Sequence, residues 1–76
     1  MLFLIEYNRL QGQLVNLKAF DDVDRKTAEE SRLMLEIVLH RQKIDHEVVL
    51  LEAEDENALR RTHRRYFEDL TELVKG

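Results

Sequence analysis

The sequence has no cysteine, proline or tryptophan, and glycine occurs only as Gly12 and Gly76. Without cysteine there is neither a disulfide staple nor a thiolate metal site. Without proline, and with so little glycine, turn signals are sparse, and segment boundaries must be read from periodicity. Long apolar runs are missing too. The longest, Leu2 to Ile5, is far short of the roughly 20 residues that cross a bilayer, and it has neither a basic flank nor a small-residue cleavage site. These absences lead us to expect a soluble, cytoplasmic protein with no membrane partner. Excess positive charge is also lacking. A formal net charge of −4 opposes non-specific binding to nucleic acid or to anionic membranes.

What is present describes a folded chain. With 76 residues, 43% of them hydrophobic and 37% charged, the sequence fits a single small α+β domain over residues 1–76 rather than a disordered segment. A chain of this length buries only about 60% of the surface its unfolded form exposes. A single core then leaves a margin of roughly 3–5 kcal/mol. With disulfides excluded, oligomerisation is the remaining way to reinforce it.

Leu2 to Tyr7 is rich in apolar and aromatic residues and reads as a strand. Gln13 to Ala19 alternates, with Val15, Leu17 and Ala19 on one side and Asn16 and Lys18 on the other, the period of a half-buried strand. A turn over Asn8 to Gln11, closed by Gly12 in the left-handed region, joins the two into a hairpin. The acids Asp21, Asp22 and Asp24 suit the start of a helix, expected from Val23 to Lys43. Ala28, Leu35, Val38 and Leu39 form one stripe along it with Met34 at the flank, and Leu33, Ile37 and Ile44 form a second. That arc is wider than packing on one sheet face requires. Glu47 to Ala53 reads as a third strand. Asp55 is the expected cap of a second helix from Glu56 to Val74, with Leu59, Thr62, His63, Tyr66, Leu70 and Leu73 inward and Phe67 and Val74 at the edge.

The predicted architecture is therefore β-β-α-β-α. A helical crossover makes the third strand parallel to the second. Inserting the first, most apolar strand between them gives a three-stranded antiparallel sheet of order 2-1-3. Both helices are expected on one face, against Phe3, Ile5, Tyr7, Val15, Leu17, Val49 and Leu51. The sheet back would then expose Leu2, Leu4, Leu14, Val48 and Leu50 beside polar neighbours, an area of the kind that marks an interaction surface. Leu4, Leu14, Val48 and Leu50, with Leu33 and Ile37 of the first helix, are the expected self-association surface. The expected partner is a second copy of the chain, or another protein not identified by the sequence.

Chemistry-bearing motifs are few. Arg60, Arg61, Arg64 and Arg65 fall together on the outer side of a helix and could grip phosphates, which makes a nucleic-acid or polyanion binder the alternative reading. However, Glu56, Glu68 and Asp69 stand four residues away, the spacing of a salt-bridged solvated face, and no exposed aromatic residue interleaves to stack on bases. His63 beside Tyr66 fits a core histidine better than a general base. His40 and His46, near Asp45 and Glu47, lack the spacing of a metal-binding pair. Ser31 has no neighbouring histidine or Gly-rich elbow, and no phosphate-cradling loop occurs. No cofactor and no catalytic residue are expected, and the chain reads as a non-enzymatic interaction module.

Overall fold

In the computed structural model, residues 1–68 are described; the expected continuation of the last helix through Leu70, Leu73 and Val74 lies outside them. Strands β1 (Leu2–Asn8) and β2 (Gln13–Phe20) lead through a short 3-10 turn to helix α1 (Arg25–Arg41), then to β3 (Glu47–Glu52) and helix α2 (Glu56–Thr62). The three strands form one sheet of order β2-β1-β3 with both pairings antiparallel, as the hydrophobic pattern predicts.

The hairpin closes as its residues dictate. Gly12 adopts φ 66°, a conformation that costs glycine little, and its N–H donates to the Asn8 carbonyl at 2.8 Å. The Asn8 side chain accepts from the Gln11 N–H at 3.1 Å. Further along, Glu6 faces Asn16 while Tyr7 faces Leu14, so Val15 is an extra residue in β2. This is a β-bulge, and it changes which side of the sheet β2 presents. Leu17 and Leu14 therefore share the face of Ile5 and Tyr7, and Val15 turns out to solvent. The simple alternation expected for this strand placed Val15 inward and Leu14 on the back. The bulge reverses both.

The helices also differ from expectation: they cover opposite faces of the sheet. Phe3, Ile5 and Tyr7 of β1 pack with Leu59 and Tyr66 from the α2 side. Leu2 and Leu4, pointing the other way, pack with Phe20 and with Ala28 of α1, and Val48 and Leu50 join them. The physical reason lies in β1 itself. Every residue from Leu2 to Tyr7 is buried, which needs a cover on each side. Ala28 is fully buried, and its small side chain lets α1 approach the sheet closely.

The ends of the helices follow from local chemistry. The acids before α1 make no side-chain cap bond and favour the helix through charge near its positive dipole end, while Asp22 also pairs with the Met1 ammonium at 3.1 Å. At its other end the Ile44 N–H donates to the Leu39 carbonyl at 2.9 Å and the Lys43 N–H to the His40 carbonyl at 3.1 Å. These two bonds, with Lys43 at φ 57°, form a Schellman cap in which lysine occupies the usual glycine position. Asp55 caps α2 as expected, accepting from the Ala58 N–H at 2.8 Å. That helix ends at Thr62 rather than continuing. The Thr62 hydroxyl bonds back to the Ala58 carbonyl at 2.9 Å, and His63 leaves helical geometry at φ −124°, ψ 52°. A 3-10 turn over Arg64–Tyr66 then drops Tyr66 onto Tyr7, with ring centroids 5.2 Å apart and planes at 87°.

Candidate functional site

Helix α1 is apolar on two sides, and only one meets the sheet. Ala28, Leu35 and Leu39 lie on one line by helical spacing and are buried or half-buried. On the other side Leu33 is 53% exposed, Met34 60%, Ile37 37% and Val38 41%. These four side chains occupy adjacent positions on successive turns, so their exposed areas are contiguous. Isolated apolar residues at a surface are ordinary. Leu10 and Val23 are of that kind, each alone in a turn region. A contiguous set on a helix whose opposite side already fills a core is a different matter and makes this face the candidate contact surface.

The residues singled out from sequence are therefore divided. Leu33 and Ile37 stay at the surface. Leu4 is buried beneath α1, with Val48 and Leu50 half-buried around it, so the expected open sheet back does not exist. Leu14 lies on the far face against the Tyr7–Tyr66 cluster. Met34 and Val38 complete the exposed set. Grouping Val38 in one stripe with Ala28, Leu35 and Leu39 overlooked that it sits roughly 80° around the helix from their line.

Glu30 and Arg41 bracket this apolar set, one turn before and one turn after it, and both are exposed. Among the described residues neither takes part in an ion pair, although Arg9–Asp45, Arg25–Glu52 and Arg32–Glu36 pair nearby.

The four arginines are not one ridge. The break at His63 takes Arg64 and Arg65 out of helical register with Arg60 and Arg61. Arg60 pairs with Glu56 at 3.1 Å and Arg64 with Glu68 at 3.4 Å. Arg65 turns back to Glu47 and lies over the Tyr66 ring, 4.5 Å from its centroid. Arg61 is exposed and, among the described residues, outside any ion pair.

Tyr66 is buried, and its hydroxyl donates to Glu47 at 2.6 Å. Burial first, and then the hydrogen bond and charge of Glu47, raise its pKa above the ordinary phenol value. His63 is half-exposed, with Nδ1 at 2.9 Å from the Thr62 hydroxyl. The two do not reach solvent together, as a shared acid–base site would require. A hollow of about 260 Å³ is lined by Gln13, Leu14, Arg60, Tyr66, Phe67 and Glu68. Its hydroxyl and guanidinium are already committed to Glu47 and Glu56.

His46 separates from His40 and joins Glu6 instead, Nδ1 to carboxylate oxygen at 2.6 Å. Glu6 is the one charged side chain in the core of the described residues. Among those residues no group of three or more His, Asp or Glu side chains converges to hold a metal ion, and no helix is long and apolar enough to cross a membrane. Comparison with protein-family models, with curated proteins and with solved structures finds no match to the chain.

Proposed function

We propose that this chain is a small non-enzymatic interaction module that self-associates, and that its contact surface is the outer face of α1. The carrying observation is the contiguous exposure of Leu33, Met34, Ile37 and Val38 on a helix already packed through its other side. The size of the molecule supports the same reading. One sheet with a helix on each face gives a small core, and covering the outer face of α1 would add buried apolar area at about 25 cal/mol per Å². The polyanion reading is less well supported, because three of its four arginines already face acids.

Sedimentation equilibrium over a range of micromolar concentrations tests the proposal. The expected result is a monomer–dimer equilibrium that Ile37→Glu shifts to monomer. The same substitution should change the unfolding free energy of the monomer by less than about 0.5 kcal/mol, since Ile37 lies on the outer side of the helix. A chain that remains monomeric throughout and binds no hydrophobic dye would overturn the reading. Affinity for mixed RNA that falls steeply with salt and disappears in Arg61→Glu would favour the polyanion alternative.

A further inference from the structure

The geometry points to an antiparallel, two-fold contact in which α1 packs against α1 of a second copy and Glu30 of each chain meets Arg41 of the other. This inference rests on the self-association proposed above and adds its direction and register.

The argument is one of spacing. At 100° and 1.5 Å per residue, Glu30 and Arg41 lie about 16 Å apart along the helix and within about 20° of each other around it. Both are therefore on the line through the middle of the exposed face. Met34 and Ile37 fall about 30° to either side of that line, and Leu33 and Val38 about 70° to either side. The pattern is symmetric about a point midway between Leu35 and Glu36. An antiparallel copy centred on that point places Met34 beside Ile37, Leu33 level with Val38, and Glu30 directly opposite Arg41, each relation occurring twice. A two-fold axis requires this kind of self-complementary patch.

Charge selects this arrangement over the parallel one. Side-by-side parallel helices would set Glu30 against Glu30 and Arg41 against Arg41. The antiparallel arrangement replaces both repulsions by attractions. Among the described residues both groups lack an ion-pair partner within the chain, although other charges on and around the same helix find one.

The test uses the absence of cysteine, so that any cysteine introduced is unique. Chains carrying Glu30→Cys and Arg41→Cys are mixed and treated with a short bis-maleimide. The mixture should yield cross-linked heterodimer, held also by the ion pair that each mixed dimer retains, while either variant alone should yield little. In sedimentation, Glu30→Arg and Arg41→Glu should each weaken association roughly tenfold or more. An equimolar mixture of these two should recover it, as should the double variant. The substitutions lie on an exposed face, and circular dichroism checks that the fold is kept. Homodimer cross-links from either cysteine variant alone, or single charge reversals that leave association unchanged, would overturn the pairing while leaving self-association standing. A wild-type chain that is monomeric at all concentrations would overturn both.

Discussion

Tyr66 shows how one residue can tie together two parts of a small fold. Its ring fills the core beside Tyr7, and its hydroxyl reaches Glu47 at the start of β3. Because its pKa is raised in the folded protein, the native state keeps a proton that the unfolded chain releases near pH 10. The contribution is complete below that pH and is lost as pH rises through the higher native value. Urea midpoints measured between about pH 8 and 11 should therefore fall. Tyr66→Phe should flatten that fall and should lose about 0.5–1.5 kcal/mol at neutral pH with the hydrogen bond. An unchanged alkaline slope in the variant would assign the titration to another group. At this scale the sequence was legible where the chemistry is local. Gly12 and Asp55 announce a left-handed turn and a helix cap by residue type alone. Val15 gives no such signal, because a bulge is a relation between two strands, and its effect on Leu14 follows only once β1 is in place.

At the scale of elements, order and type could be read, and the strand order 2-1-3 followed from the apolar character of β1. The side on which each helix packs could not. Alternation assigns a strand to one core only if its other face is polar, and Leu2 to Ile5 are apolar on both. The structure resolves this by using both faces, which changes the meaning of Leu50. On an open sheet back Leu50→Glu would disrupt association. Half-buried under α1, it should instead destabilise each molecule by about 2–4 kcal/mol, comparable with the whole margin of so small a domain. Chemical denaturation of Leu50→Glu and Ile37→Glu side by side separates the two roles. Equal loss of fold stability in both would contradict the assignment. The end of α2 was likewise hidden, since helical periodicity continues past His63, whereas the chain turns where Arg65 and Tyr66 find a common partner in Glu47. In the candidate site, Leu33 and Ile37 were legible as excess apolar positions on α1; Leu4, Val48 and Leu50 were misplaced because α1 covers the sheet back, and Leu14 because of the bulge at Val15.

For the whole molecule, the self-association proposed above would couple stability to concentration. Binding that favours the folded state raises the apparent stability by mass action. Thermal midpoints of the wild-type chain should rise by a few degrees between about 1 and 100 μM, as expected when roughly 1 kcal/mol is added to a domain of this size. Ile37→Glu should show a midpoint independent of concentration. Calorimetry at several concentrations decides this, and a flat wild-type profile would count against a dimeric ground state.

Glu6, buried and bonded to the half-buried His46, has a consequence for how the sheet finds its alignment. In an ordinary amphipathic strand, a slip of one residue brings apolar side chains into water, and that penalty keeps the strand in place. β1 has little such protection, because a slip exchanges one apolar set for another between two cores that both accept it. Glu6 supplies what the pattern lacks. Only in the native alignment does its carboxylate meet His46; moved by one residue it would point to the other face, toward the core formed by Tyr7, Leu59 and Tyr66 and away from His46. A single polar side chain thus acts as the alignment mark of an otherwise degenerate strand, and replacing it by leucine would remove the penalty that distinguishes the native sheet from its nearest misaligned neighbour.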